Sequence, residues 1–277
     1  MKIYCPNIYS RGELYKWTTS IIRSYGIKIS EKRGQNFLID PRGILLFVNK
    51  LRQSNPAVVV EVGTGIGVLT VSLSKIVGKM LGIEVDAGLA KISKLVLDAC
   101  MRRNVALVRG DGVSLVSGIR ASTIVSNTPY NISIQLIIES LKNNNIKYMV
   151  LGVQEEVADR LVAKPGSDDY GKLSLITQRF FNVSKTALIP SFYFYPRPKV
   201  NGAIVELRRV RSWSKRDYIV EELLKCLFTG RRKLLSKMSK LCSRKLGITL
   251  CSDPNGSRRV YDITNEDIER MVNCIEV

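Results

Sequence analysis

Between Ala57 and Arg109 the chain alternates β-branched runs with amphipathic stretches, and this alternation restricts the possible folds more than any other feature of the sequence. AVVVEV, MLGIEV and VALVR have the character of buried strands, while IGVLTVSLSKIVG and AGLAKISKLVLDACMRR between them have that of helices. Ile66, Leu69, Leu73 and Ile76 recur at helical spacing, so the first of these helices can pack one face on a sheet. Strands joined by helices and apolar on both faces make a parallel sheet. STIVS and KYMVLGV continue the series, with a helix expected from about residue 131 to 142 between them. FNVSKTALI and AIVELRR, joined by the proline-rich YFYPRPKV, read as a closing antiparallel pair. The sequence therefore predicts an α/β fold, a Rossmann-like sheet of about seven strands.

The strand signals stop after Arg211. The rest reads as helices over 215–229, 231–246 and 264–274, the last opening with Thr264 and Asp267 in a T-x-x-D cap. At the other end, Leu14, Trp17, Ile21 and Ile22 fall on roughly one face of a short helical arm. Three segments are expected: an arm over 1–33, an α/β domain over 34–210 and a small helical domain over 211–277. Charge distinguishes the last of them. The chain carries 43 Lys plus Arg against 24 Asp plus Glu, a net charge of +19, and 13 basic but only 3 acidic residues lie between Arg208 and Lys245. A surplus concentrated in this way points to a face for a polyanion, with a solvated helix face as the alternative.

Several classes drop out. The longest uncharged run, Ala121 to Ile138, is rich in Ser, Thr, Asn and Gln and is unsuited to cross a membrane. MKIYCPNIYS lacks the apolar core of a secretory leader, so a cytoplasmic protein is expected. Six Cys include no C-x-x-C pair and there is no His, so the usual zinc spacings are missing and no metal is expected. Buried thiols are expected, with a disulfide among the last four Cys as the alternative. Without His, Ser-His-Asp and Cys-His catalysis are excluded, which leaves chemistry that works by positioning.

The strand ends carry the candidate chemistry. Glu61-Val62-Gly63-Thr64-Gly65-Ile66-Gly67 passes from the first strand into a helix, at the edge where open α/β sheets bind ligands. Its spacing is G-x-G-x-G and not the dinucleotide G-x-G-x-x-G, so the backbone at Gly63 and Gly65 suits a smaller adenosyl ligand better than a pyrophosphate. Glu84 ends the second strand 21 residues after Gly63, where a carboxylate can accept hydrogen bonds from ribose hydroxyls. Asp111, after the third strand, suits an adenine amino group. GSDDYGK over 166–172 imitates the start of a phosphate-binding loop, but Leu173 stands where a magnesium-holding hydroxyl is needed, and Asp168 and Asp169 would repel phosphate. It reads as a surface loop.

Ser126-Asn127-Thr128-Pro129-Tyr130, at the end of the fourth strand, is the most specific signal. An amine on a purine is a poor nucleophile because its lone pair is delocalised into the ring. Acceptors on its hydrogens localise that pair. Asn127 can supply a side-chain oxygen and Thr128 a backbone carbonyl, while Pro129 stiffens the turn and Tyr130 offers a face for stacking. After methyl transfer the nitrogen carries a very acidic proton that water can take, so the reaction needs no His.

GQNFL, EVGTGIGVLT, IEVD, NTPYNIS, QEEVADRLVAKPGSDDYGKLS and FYPRPKV, in this order, resemble the S-adenosylmethionine-dependent ribosomal RNA adenine dimethyltransferases that act on the small subunit. The resemblance runs from about residue 25 to 210, and Phe228-Thr-Gly-Arg231-Arg232-Lys233 is similar to an Arg-Arg-Lys cluster in the family's helical tail. It implies a class I methyltransferase sheet with a small C-terminal helical domain. It also implies S-adenosylmethionine as methyl donor, without a metal, held by Asn36, Leu38, Gly63, Gly65, Glu84, Asp111 and Asn127. By the same resemblance Asn127 to Tyr130 bind the target adenine, Phe194 stacks on its other face, and Arg231, Arg232 and Lys233 contact RNA. The implied activity is dimethylation of two adjacent adenosines in small-subunit rRNA, with a role in ribosome biogenesis, by a monomer that meets the pre-ribosomal small subunit and no membrane. The sequence departs from the family at Thr64, Thr128 and Asn201, none of which removes a group the chemistry requires. A non-catalytic assembly factor and a large-subunit rRNA or DNA adenine methyltransferase are the alternative readings.

Overall fold

A computed structural model describes residues 3–30, 34–127, 132–251 and 257–275. The chain opens with α1 (Arg11–Ser24), β1 (Phe37–Leu38) and α2 (Pro41–Ser54). The alternating part follows as β2 (Val58–Val62), α3 (Val68–Leu73), β3 (Lys79–Glu84), α4 (Ala87–Ala99), β4 (Val105–Arg109), α5 (Gly112–Leu115), β5 (Thr123–Asn127), α6 (Ser133–Lys142) and β6 (Tyr148–Gln154). Next come α7 (Glu155–Val162), α8 (Lys172–Phe180), β7 (Phe181–Ile189), β8 (Phe194–Tyr195) and β9 (Gly202–Arg209), then α9 (Arg216–Leu227), α10 (Leu235–Leu246) and α11 (Asn265–Val272).

Seven strands form one sheet in the order β4-β3-β2-β5-β6-β9-β7, and β1 pairs with β8 in a separate two-stranded ribbon. β4, β3, β2, β5 and β6 are mutually parallel and β9 runs antiparallel to β6. The central strands lose the in–out alternation because helices cover both faces: Val59, Val60, Ile124, Val125, Met149 and Val150 are all buried. Each such side chain contributes about 1.5–3 kcal/mol of hydrophobic stabilisation. Caps fix the helix starts. Asp40 accepts from the Arg42 amide at the start of α2, Asp86 from the Gly88 and Leu89 amides at α4, and Thr264 with Asp267 closes a capping box on α11.

The chain separates into two compact units, one of residues 1–158 with 184–208 and one of 159–183 with 209–277. The expected cut near residue 210 corresponds to one of the crossings. The helical arm is packed into the first unit, with Leu14, Trp17 and Ile21 in its core and Cys5 bonded to Cys100. Residues 159–183 belong with the tail for reasons invisible in local sequence. The Tyr170 hydroxyl donates to the Ile263 carbonyl at 2.7 Å, and buried Arg179 pairs with Asp217 at 3.1 Å and Glu269 at 2.8 Å.

Three expectations need correction. The helix after the glycine loop is only six residues long, because the Ser74 hydroxyl turns back to the Val71 carbonyl at 2.9 Å and Gly78 leads directly into β3. The helix expected from Arg231 begins at Leu235, since Arg231 to Leu234 pair with another segment of the tail. The six cysteines are not thiols. They form Cys5–Cys100, Cys226–Cys242 and Cys251–Cys274.

Candidate active site

Parallel pairing brings the carboxyl ends of β2, β3, β4 and β5 to one edge of the sheet, and a cavity of 320 Å³ lies there. Asn36, Leu38, Gly63, Gly65, Glu84, Asp111 and Asn127 all line it. Gly65 has φ of +55°, a backbone conformation that favours glycine, and packs beside the Phe37 ring. Its amide donates to Glu84 Oε2 at 2.8 Å, which ties the loop after β2 to the end of β3. Asn127 has space beside it because its β6 neighbour is Gly152, where a Cβ would come within 2.9 Å of Asn127 Oδ1.

Three carboxylates face this cavity. Glu84 also accepts the Asp86 amide at 3.0 Å through Oε1; burial raises its pKa above the usual carboxylate range despite these backbone hydrogen bonds. Asp111 caps α5, accepting from the Val113 amide at 3.0 Å and the Ser114 hydroxyl at 2.7 Å. Glu61 is 1% exposed, and its Oε2 has no hydrogen-bond partner among the described residues. Burial pushes its pKa up to about 8; the negative charge of Glu84 adds to the rise and the Thr70 hydroxyl opposes it. Among the described residues no Lys or Arg lines the cavity, although the chain as a whole has net charge +19. Such a site attracts a cation and disfavours a phosphate. S-adenosylmethionine, with a sulfonium, an ammonium and a ribose, fits this donor set, and Glu61 Oε2, which has no partner among the described residues, would be open to its ammonium.

A second cavity, of 580 Å³, shares Gly34, Gln35 and Asn36 with the first. Its other walls are Ile29, Gln154 at the end of β6, and Pro196 to Val200. That last stretch is braced: Arg197 Nε donates to Ser191 Oγ at 3.0 Å, the Ser191 amide donates to Asn201 Oδ1 at 3.0 Å, and the Asn201 carbonyl accepts the Glu155 amide at 3.0 Å. Asn201 thus uses a side-chain oxygen that Asp would also supply.

The family model described as Ribosomal RNA adenine dimethylase matches residues 26–276. The chain belongs to that family. A protein of Thermococcus gammatolerans named "Probable ribosomal RNA small subunit methyltransferase A" is 36% identical over 256 residues, covering 90% of each chain. The "Ribosomal RNA small subunit methyltransferase A" of Clostridium perfringens is 32% identical, covering 80% of this chain and 81% of its own. Among solved structures, a dimethyladenosine transferase from Plasmodium falciparum superposes with a TM-score of 0.63 at 21% identity, covering 96% of this chain and 95% of its own. The 23S rRNA methyltransferase ErmE superposes with a TM-score of 0.60 at 21% identity, over 86% and 98%. These two likenesses establish the class I methyltransferase fold.

Within this adenine dimethylase, the seven residues expected at the donor come to one cavity. Thr128, Pro129 and Tyr130 lie outside the described residues. Phe194 does not reach either cavity: it is 4% exposed, lies opposite Leu38 across the β1–β8 ribbon, and packs in the core of the first unit. In a two-residue strand the alternation turns Phe194 and Tyr195 to opposite sides, and the core takes Phe194. Arg231, one of the three residues expected on RNA, donates to the Tyr170, Ser167 and Asp168 carbonyls within its own unit. Glu61 was not singled out as a site residue by its sequence. Its signal is a carboxylate inside an otherwise apolar strand, one turn of the pleat before the glycine loop.

No helix among the described residues is long and apolar enough to cross a membrane. Among the same residues no group of three or more Cys, Asp and Glu is arranged to hold a metal ion.

Proposed function

We propose that this protein transfers methyl groups from S-adenosylmethionine to the 6-amino groups of two adjacent adenosines in small-subunit ribosomal RNA, twice on each, during assembly of the small subunit. The observation that carries the reading is the cavity at the strand ends, walled by Glu61, Glu84 and Asp111 with no basic side chain among the described residues and edged by Asn127, in a chain of the adenine dimethylase family. The donor supplies an electrophilic methyl group. Glu84 accepts hydrogen bonds from its ribose, Asp111 from its adenine, and Glu61 holds its ammonium. Asn127 Oδ1 accepts a hydrogen from the target amino group, which localises the nitrogen lone pair towards the donor. The second cavity, which shares Gly34 to Asn36 with the first, takes the acceptor side, with Arg197 and Lys199 on its wall for the RNA backbone. Proton loss from the methylated nitrogen goes to water. The basic tail holds RNA and does no chemistry.

Incubation with isotopically labelled S-adenosylmethionine and unmethylated small subunits, followed by nucleoside mass spectrometry, tests this. Doubly methylated adenosine at two neighbouring positions is the expected product. Label in another RNA, in DNA, or nowhere would overturn the reading.

A further inference from the structure

The helical arm at the start of the chain does not line the donor cavity, yet it carries a set of exposed aromatic rings. Tyr4, Tyr9, Tyr15 and Tyr25 are all exposed, whereas Leu14, Trp17 and Ile21 of the same arm are buried. Packing of α1 on the core accounts for the second set and not for the first.

Arg11 and Tyr15 lie one turn apart on α1, and both meet the segment 192–195. Arg11 Nη2 donates to the Phe192 carbonyl at 3.2 Å, and its guanidinium stands 5.6 Å from the centre of the Phe192 ring. The Tyr15 and Tyr195 rings meet edge to face with centroids 5.6 Å apart. Phe192 and Tyr193 make a second edge-to-face pair at 5.0 Å, and the Arg42 guanidinium lies 4.8 Å from the centre of the Tyr193 ring. Buried Asp40 holds both cations, Arg42 at 2.9 Å and Arg11 at 3.4 Å. The result is a fixed row of rings and guanidiniums, in which Tyr15 is 44% and Phe192 40% exposed.

The row runs up to the second cavity. Tyr195 is followed directly by Pro196, the first of the residues 196–200 on that wall, and Ser191, next to Phe192, accepts from Arg197 Nε on the same wall. Arg197 and Lys199 make the surroundings positive, because Arg11 and Arg42 share the one carboxylate of Asp40.

We infer that this row is a stacking platform for the single-stranded RNA nucleotides that flank the target adenosine, with Tyr15 and Phe192 each taking the face of a base. The inference rests on the proposed action on rRNA and extends it to nucleotides that are not methylated. A base drawn into a cavity leaves its neighbours without a stacking partner, and exposed rings beside that cavity replace it. Every base has a π-face, so such contacts hold a strand without reading its sequence. Asp40 and its two arginines set the rings before RNA arrives, which lowers the ordering cost of binding.

The test is a fluorescence-anisotropy titration of the full chain with a single-stranded RNA of about a dozen nucleotides holding two adjacent adenosines at its centre, and with the same RNA made abasic on either side of that pair. Tyr15→Leu and Phe192→Leu are each expected to weaken binding of the intact RNA by roughly fivefold or more, whereas Tyr15→Phe, which keeps the ring, stays within about twofold. The abasic RNA should bind the unmodified chain less tightly by a similar factor, and the Leu variants should lose nothing more on it. Tyr15→Leu should keep the slope of log affinity against log salt, because no phosphate contact is lost. Tyr15 is exposed, so its variants decide the matter even if Phe192→Leu lowers the thermal midpoint. Intact RNA bound by Tyr15→Leu as tightly as by the unmodified chain would overturn the platform, as would equal losses on intact and abasic RNA. The labelled-donor assay reports separately: double methylation of two neighbouring adenosines, together with either of those binding results, leaves the rRNA reading intact and removes only the platform. Absence of methylation by the unmodified chain removes the rRNA reading whatever the row binds.

Discussion

The donor cavity of the first unit presents three carboxylates and, among the described residues, no basic side chain, whereas a cup in the second, lined by Asp168, Arg231, Arg232 and Arg259, presents three guanidiniums and one carboxylate, within a chain of net charge +19. Net charge therefore agrees in sign with the second surface and not with the first. What decides each is how the backbone gathers its side chains. In the donor cavity every acidic group sits within two residues of a strand end, and parallel pairing collects the strand ends with no further instruction. In the cup the gathering is done by a ladder between two irregular segments and by a turn some sixty residues earlier in the chain. On the proposed function the carboxylate wall would favour the methyl donor, a sulfonium, over the neutral thioether left after transfer.

The comparison is broken most severely at Asn127, the point where the donor cavity meets the acceptor. Asn127→Ala is expected to lower kcat by about a hundred- to a thousandfold, the usual consequence of removing a positioned hydrogen-bonding group from a transition state. Single-turnover methylation at saturating donor measures this. A variant with full turnover would show that Asn127 only shapes the cavity.

Phe194→Ala comes next and acts on a different quantity. Because Phe194 is buried in the core of the first unit, its truncation should cost about 3–5 kcal/mol of stability, with activity lost in proportion to unfolded protein. Denaturant unfolding alongside methylation assays of the folded fraction separates this from a stacking role. Normal stability with abolished turnover would mean that the ring leaves the core to meet the adenine.

How far the sequence announced these regions follows from the same contrast. The sheet was legible because hydrophobic runs separated by helical periods mark successive strands along the chain, and the expected seven strands are present, although their order in the sheet is not the chain order. The donor cavity was legible because topology converts residues far apart in the chain, Gly63, Glu84, Asp111 and Asn127, into neighbours. Glu61 escaped notice because its lack of a partner is a property of packing around β2, which no local pattern records. Arg231 reads in sequence as one of three equal cations, and only the carbonyls of Ser167, Asp168 and Tyr170 set it apart. The cysteines failed for a related reason: their separations of 95, 16 and 23 residues match no short motif, and pairing depends on Cα atoms brought 4.8–5.8 Å apart by the fold.

Glu84→Ala sharpens the donor side. Loss of the acceptor for ribose hydroxyls should weaken donor affinity by about 1–3 kcal/mol, and because Glu84 also holds the Gly65 amide, Glu84→Gln should retain part of it. Isothermal calorimetry checks this, and unchanged affinity in both variants would remove Glu84 from the site.

The smallest expected effect distinguishes the two concavities by proton. Glu61 is an acid whose folded pKa of about 8 lies above its ordinary 4.5, so the folded, donor-free protein holds a proton that the unfolded chain releases over that interval. The stability associated with this group is fully present below 4.5, falls as pH rises, and levels off above about 8. Glu84, also raised, acts in the same direction, and no Lys or Arg on the described wall offsets either. A bound cation reverses the preference, because it stabilises the ionised carboxyl. Donor affinity should therefore increase with pH, by roughly tenfold at most between pH 7 and 8.5, as expected for one proton released on binding. Calorimetry in buffers of different ionisation enthalpy counts that proton, and Glu61→Gln should flatten both the affinity profile and the fall in thermal midpoint of the donor-free protein. A donor affinity that is flat with pH in the unmodified chain would mean that Glu61 does not meet the cationic end of the donor.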